Sequence, residues 1–342
     1  MPSSPSTLTR RRFMQVSASA LSVPTIVPAS VLRGVLGAPS ERLTVGIIGL
    51  GSRGYNLLDD FLREADAQIV AVCDVDALHY RDNPWGQGLA YGREPGQKRV
   101  QQSYARQTGN DGYEPPAAYS DHRELCGHGD LDIVVVATPD HWHALCTLEA
   151  LRQGRDVYCE KPVTHSFYEG QTIYRAVAEH KAIFQTGCQQ RSMPRFRKAV
   201  EIVRNGHLGA IQRLEVGLPP GYAEPRGDTA VQDPPEHLDY DLWCGPSEVL
   251  PYMRARHHRW WRGHRAYGGG VLMDWIGHHN DIAHWSLNMD ASGPKKIEAV
   301  DWTFPETDVY NTPSRYMICC EYANGVTSTI SCDNALGTKW IG

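Results

Sequence analysis

The chain has 342 residues, with 34 basic against 39 acidic side chains, a formal net charge of −5 and 41 % hydrophobic residues. That length allows two domains with substantial cores, and a negative chain without basic runs excludes nucleic acid and anionic membrane surfaces as partners. The nine cysteines are odd in number, show no CxxC spacing, and include Cys73 and Cys159 inside expected buried strands, so they are not a disulfide framework.

The N-terminus reads as an export leader. Thr9-Arg10-Arg11-Arg12-Phe13-Met14 precedes a mildly apolar run, Val16 to Leu36, that has no charge until Arg33. Charge followed by an apolar stretch is the order of a signal segment, and paired arginines before Phe suit the twin-arginine route. Pro24, Pro28 and Arg33 make the run a poor transmembrane helix, and Leu36-Gly37-Ala38 supplies small residues for cleavage. Residues 1–40 are therefore expected to be a leader, with the export machinery as a partner and the periplasm, or another extracytoplasmic space, as the destination. This route carries folded proteins, so reduced cysteines are compatible with it. The leader holds four arginines and no acids, so its removal leaves the rest more negative.

Thr44 to Gly54, TVGIIGLGSRG, is an apolar β-rich run leading into Gly49-x-Gly51-x-x-Gly54. The first glycine permits a tight turn, the second lets the backbone approach a pyrophosphate, and the third lets helix pack on strand. The pyrophosphate then rests on the free N–H groups of the new helix. Leu57, Leu58, Phe61 and Leu62 continue as an amphipathic helix, and a second strand, Ile69 to Cys73, ends in Asp74, 20 residues after Gly54. An acid there accepts both hydroxyls of an adenosine ribose and repels a 2′-phosphate, which favours NAD over NADP.

The pattern then alternates. A polar insertion between Asp76 and Asp121 is expected to be loop plus one helix, Lys98 to Gln107. Asp132 to Ala137 is a continuous apolar strand of a parallel sheet. A helix follows from about His143, with Leu145, Leu148 and Leu151 on one face and Gly154 at its end. Asp156 to Cys159 is the next strand, Ser166-x-x-Glu169 a capping box, and Asn205-Gly206 the end of a helix from about Pro194. Beyond this the texture changes to strands: Ile211 to Gly217, Ile297 to Phe304, Tyr316 to Tyr322 and Val326 to Ser331, with Asn324-Gly325 as a hairpin turn. The expected fold is an α/β Rossmann domain, doubly wound on a parallel sheet, over residues 41–162. An α+β domain with an open, mostly antiparallel sheet follows over 163–342.

Three more segments complete a recognisable set. They are Ala137-Thr-Pro-Asp-His-Trp-His143, Glu160-Lys161-Pro162, and Gly268-Gly-Gly-Val-Leu-Met-Asp274-Trp-Ile-Gly-His278. With the glycine fingerprint, and with Leu238-Asp-Tyr-Asp-Leu-Trp243-Cys-Gly-Pro246 as a linker, the chain resembles the Gfo/Idh/MocA family of sugar and polyol oxidoreductases over about residues 42–342. The resemblance implies NAD contacts from Gly49, Gly51, Ser52, Arg53, Gly54, Asp74, Thr138, Pro139, His143, Glu160 and Lys161. It implies that Lys161 reaches the reacting hydroxyl and stabilises alkoxide charge. Asp274 and His278, i and i+4 on one helix face, would hold substrate hydroxyls and supply the general base. The chemistry agrees: oxidising a secondary alcohol needs a base for the O–H proton and the cofactor for the hydride.

Other features are read more narrowly. Trp260 and Trp261, flanked by Arg259 and Arg262, are candidates to hold the apolar face of a sugar ring. Histidines crowd between His257 and His284, but their spacing matches no zinc pattern and the family's usual chemistry needs no metal, so none is expected. The chain stops at Gly342, inside a strand-forming segment where relatives continue, so homo-oligomer formation through the C-terminal sheet is expected.

The leader and the fingerprint together carry a further expectation. NAD is scarce outside the cytoplasm, so an exported protein would hold it without exchange and regenerate it in one site. Two routes do this in exported members of the family. One oxidises one sugar and reduces another. The second is a glycosidase that oxidises the sugar transiently, breaks the glycosidic bond and reduces the ketone again. A non-catalytic sugar binder on the same fold is the third reading.

Overall fold

The computed structural model describes residues 41–81 and 88–342. The expected leader, residues 1–40, lies outside them, as does 82–87 of the polar insertion. Leu43–Gly342 forms one compact unit.

Strand β1, Leu43–Ile48, buries its last four residues and turns at Gly49 into α1, Ser52–Phe61. That helix presses Leu57 and Leu58 onto β2, Ala67–Cys73, in one apolar core with Val45, Ile47 and Ile69. The insertion is more ordered than its polarity suggests. A short hairpin, β3 His79–Tyr80 with β4 Ala90–Tyr91, precedes α2, Arg93–Thr108. The helix begins five residues before the expected Lys98, because Gly92 breaks the chain there at φ 100° and Val100 and Tyr104 reach the core.

Next come β5 Ala117–Tyr119, α3 His122–Cys126 and β6 Ile133–Val136. The Asp121 carboxylate caps α3 by accepting from the Arg123 N–H at 2.8 Å. Helix α4, Asp140–Arg152, starts directly after Pro139 rather than at His143. Its buried face carries His141, Ala144, Cys146 and Leu151, because it packs on the sheet and on the next helix of the chain, and Leu145 is exposed, contrary to the expected stripe. Strand β7, Asp156–Glu160, is followed by α5, Phe167–His180, whose capping box at Ser166 and Glu169 is present, and by β8, Phe184–Gly187.

These strands form one parallel sheet in the order β5-β2-β1-β6-β7-β8. Strand β8 corrects the expected boundary at residue 162. The segment from Pro162 to Gly187 completes the nucleotide sheet, and the second half begins only after it. Strand order reverses between β2 and β6 around β1, which opens a crevice at the strands' carboxyl ends.

The second half contains α6, Pro194–Arg204, then β9, Arg213–Gly217, and a short α7, Tyr240–Cys244. Two 3₁₀ turns, Arg254–Arg256 and His258–Gly263, lead to α8, Gly270–Ser286. Strands β10 Lys296–Thr303, β11 Arg315–Glu321, β12 Thr327–Ser331 and β13 Gly337–Ile341 complete a sheet in the order β10-β11-β12-β9-β13. All its pairings are antiparallel except β12 with β9. Helix α8 packs Leu272, Trp275, Ile276 and Ala283 on Leu214, Val216, Tyr316 and Ile330 of this sheet. Its other face looks at the crevice. All nine cysteines are unpaired.

Candidate active site

The crevice is a cavity of about 630 Å³ between the carboxyl edge of the parallel sheet and α8. Its nucleotide wall is made largely of backbone. Gly49 turns at φ 90°, and a Cβ there would lie 2.6 Å from the Ala137 carbonyl carbon, so β1 and β6 meet closely at the crevice. A Cβ on Gly54 would overlap the Gly49 carbonyl oxygen, so the helix start packs directly on the turn there, and Gly54 does not itself line the cavity. Gly51 differs: a Cβ there would meet nothing within 4 Å and would project into open space at the cavity wall.

Asp74 sits under this turn. Its Oδ2 accepts from the Leu50 N–H at 2.6 Å and its Oδ1 from the Asp76 N–H at 2.9 Å. Burial pushes its carboxyl up to about 6, against the pull of those two amides and of Arg93. Ser52 and Arg53 begin α1 at the cavity. Ser52 accepts from Arg81, and Arg53 pairs with the buried Glu160 at 2.7 Å, tying α1 to the end of β7. Thr138 and Pro139 line the wall after β6. His143 also reaches the lining, but both its nitrogens face backbone carbonyls, Nδ1 to Pro162 at 2.5 Å and Nε2 to Thr138 at 2.9 Å. It therefore braces the two loops that carry the lining residues.

The opposite wall is built from charged side chains. Lys161, just past β7, donates to the Asp274 carboxylate at 2.5 Å and to the Asp274 carbonyl oxygen at 2.9 Å. Its stem lies on Gly277, where a Cβ would come within 3.4 Å of it. Burial raises Asp274, but Arg262 and Lys161 together outweigh it and hold the carboxyl at about 2. Arg262 approaches the same Asp274 oxygen at 3.3 Å and lies against the Trp261 ring at 4.1 Å. One turn along α8, His278 lines the cavity with its Nδ1 buried and unpartnered. Burial first, then the Lys161 charge, push its imidazole down to about 4, so it is neutral at physiological pH.

Thus Lys161 converges with Asp274 and His278, more than a hundred residues further along the chain, on one cavity with the glycine turn. Trp261 lines it, whereas Trp260 does not; its ring meets Tyr222 edge to face and carries the Arg259 guanidinium over it. Neighbours in a 3₁₀ turn point about 120° apart, so only one of the pair faces inward. Asp281 is a strut, held by Arg191 through two bonds of 2.7 Å.

Two groups at the site escape sequence reasoning. Arg262 presents itself there only as a flank of the tryptophans. Asp140, buried at the start of α4 with Oδ2 unpartnered, is pushed up to about 6 by burial, opposed by Arg262. Its one signal is an acid directly after the proline that opens a helix.

A dinucleotide cradle facing a Lys–Asp–His wall across one cavity defines a nicotinamide-dependent oxidoreductase. Residues 43–188 match the model of the Gfo/Idh/MocA oxidoreductase family, NAD-binding Rossmann fold, and 197–339 match that family's C-terminal alpha/beta domain. The chain belongs to this family. It is 26 % identical over 293 residues to an uncharacterized oxidoreductase, YrbE, of Bacillus subtilis, covering 85 % of this chain and 67 % of that protein. It is 33 % identical over 231 residues to a glycosyl hydrolase family 109 protein of Streptomyces niveus, covering 66 % of this chain but only 40 % of that relative. Among solved structures it resembles GenD2 of gentamicin A biosynthesis in complex with NAD, with a TM-score of 0.60 and 20 % identity over 93 % of this chain and 73 % of that one. It also resembles the WlbA dehydrogenase of Bordetella pertussis in complex with NADH and UDP-GlcNAcA, with a TM-score of 0.58 and 18 % identity over 88 % and 76 %.

NAD is the cofactor, and the residues fit it. Gly51 leaves open space at the start of α1, room enough for a pyrophosphate, and Asp74 would be the carboxylate to take the ribose hydroxyls.

Proposed function

We propose that this protein oxidises a secondary CH–OH of a sugar, polyol or glycoside, and that its NAD is held and regenerated in the same site. The observation that supports the chemistry is the pairing of a neutral His278 with the Lys161–Asp274 ion pair in the NAD-lined cavity. His278 takes the hydroxyl proton. The Lys161 ammonium steadies the oxygen charge as the C–H bond breaks. Asp274 stays ionised, fixes that ammonium and accepts a neighbouring hydroxyl. When bound, NAD accepts the hydride, leaving a ketone on the substrate. Trp261 offers its ring to the apolar face of the sugar.

The second reading is a redox-assisted glycosidase, and its support is the glycosyl hydrolase family 109 relative. In that reading the ketone acidifies the adjacent C–H, loss of that proton expels the aglycone as its alcohol, water adds to the resulting enone, and the hydride returns to the ketone. An aryl glycoside separates the two: release of the phenol without net NADH means glycosidase, while up to one NADH per chain, formed with a single sugar and no acceptor for the hydride, means dehydrogenase. Neither signal with a panel of sugars and aryl glycosides would overturn both.

The leader at residues 1–40 extends the proposal to twin-arginine export and extracytoplasmic work with a trapped cofactor. An extract of the denatured protein should contain NAD in near-equal amount to the chain, and an extract without nucleotide would sink this point. We also propose self-association through the second sheet, whose outer strand β10 exposes Ile297 and Val300, with Phe304 exposed directly after it. Sedimentation should give an oligomer, and a monomer at micromolar concentration would refute it.

A further inference from the structure

The cavity lining also holds a cluster that the proposed oxidation does not use. Asp76 and His79 follow β2, and His258 opens the second 3₁₀ turn. Asp76 and His79 are buried, and their Oδ2 and Nδ1 atoms have no hydrogen-bond partner. A buried carboxylate oxygen without a partner is costly, and in native proteins it calls for a ligand. His258 Nε2 lies 3.3 Å from Asp76 Oδ2, and His79 Nδ1 lies 3.5 Å from the same oxygen. All three donor atoms lie within 4.8 Å of one another.

We infer that Asp76, His79 and His258 bind one zinc-class divalent ion. Zinc holds imidazole and carboxylate donors at about 2.0–2.2 Å in a tetrahedron, so two donors on one ion stand about 3.3–3.5 Å apart. The two separations from Asp76 Oδ2 match that edge. Two imidazoles disfavour magnesium and calcium, which take oxygen donors. The imidazoles of His79 and His258 stack at 3.9 Å with 20° between their planes, so both rings swing to bring their lone pairs onto the ion.

The surroundings suit this assignment. His237 Nδ1 contacts the other Asp76 oxygen, Oδ1, at 2.8 Å, and the Leu78 N–H donates to that oxygen at 3.2 Å. Such outer contacts orient a ligating carboxylate. All three donors line the cavity, which gives water access to the fourth position. The ion would clip the segment after β2 to the 3₁₀ turn that carries Arg262, the group bracing Asp274. Nothing in the sequence announces this, since the third donor lies 179 positions beyond the second.

The test uses the full chain without a histidine tag, stripped with a chelator, dialysed, and titrated with zinc alone. The expected result is one tightly held zinc per chain and a rise in Tm on binding. Binding no better than the weak uptake of an unrelated protein would overturn the proposal. Asp76→Asn with His258→Gln should abolish the uptake; full retention by that folded variant would place the ion elsewhere and overturn the assignment. Should that variant not fold, His237→Ala, at a half-exposed side chain, should still bind zinc about 10–100-fold more weakly. Unchanged affinity in His237→Ala would count against the site. Cobalt in place of zinc should give the intense visible bands of four-coordinate nitrogen and oxygen ligation. A thiolate charge-transfer band would instead assign the ion to the cysteines and refute the site.

Discussion

The two walls of the cavity are made of different materials. The nucleotide wall is backbone, shaped by glycines whose missing Cβ atoms let strands, helix and cofactor meet. The catalytic wall is a chain of charges, Arg262–Asp274–Lys161, beside one neutral imidazole. The first wall has its geometry before any ligand arrives. The second has its protonation states set by its neighbours. Mutations in the two walls should therefore separate binding from chemistry.

The largest effect belongs to the charged wall. Lys161→Ala removes the ammonium that, in the proposed reaction, meets the reacting oxygen and should lower turnover by about 10²–10⁴-fold, the range for a positioned acid–base group. The NAD content of the purified protein should fall far less than turnover, because the glycine turn and Asp74 stay in place on the other wall. Loss of nucleotide in parallel with activity would show that the walls are not separable.

Glycines divide the nucleotide wall itself. Gly54→Ala forces a Cβ into the Gly49 carbonyl oxygen and should cost about 3 kcal/mol or more in a urea melt, as overpacking against backbone does. Gly51→Ala meets no protein atom and has an ordinary φ of −75°, so its melt should match the parent. Its NAD affinity should still fall about tenfold, or about 1.4 kcal/mol, because the methyl occupies pyrophosphate space. Unchanged affinity in Gly51→Ala would show that the cofactor does not approach that turn.

This division also explains what is legible in the sequence. The parallel half is readable because backbone demands are local: Gly49, Gly51 and Gly54 have fixed spacing, and Asp74 follows at a set distance. Ser166 and Glu169 cap α5, and Asn324-Gly325 turns β11 into β12, for the same local reason. The Lys161, Asp274 and His278 roles come from the family resemblance, since no spacing links residues 113 positions apart. Arg262 escapes notice because its meaning lies in what it faces. Likewise, the expected domain boundary falls short because β8 is a four-residue strand with a weak pattern, recruited by pairing with β7. Trp260 is misplaced because two adjacent rings look alike until the turn orients them.

A smaller effect concerns Asp74, whose carboxyl burial raises to about 6. In the proposed binding mode the ribose hydroxyls donate to the ionised form, so protonation would remove an acceptor. NAD affinity should therefore be constant above that pH and weaken as pH falls through about 6. Asp74→Asn should abolish this dependence and narrow the preference for NAD over NADP, both readable by fluorescence titration of the apoprotein. A flat profile in the parent would remove Asp74 from the ribose.

The smallest effect links the catalytic wall to stability. His278 titrates at about 4 in the fold, against about 6.5 in an unfolded chain. The unfolded chain therefore binds this proton first as pH falls, and the stability associated with neutral His278 is complete above about 6.5 and drains away down to about 4. His141 and His264 are pushed down to about 4 by burial as well, so the parent should weaken across that window in any case. The informative quantity is the difference from His278→Gln, which should lose less stability between pH 7 and pH 5. Lys161→Ala should act in the same direction, because removing the nearby ammonium lifts the imidazole back toward its ordinary value. Should both variants track the parent in urea melts at the two pH values, His278 would not be held neutral by this wall, and its assignment as the base would lose its electrostatic ground.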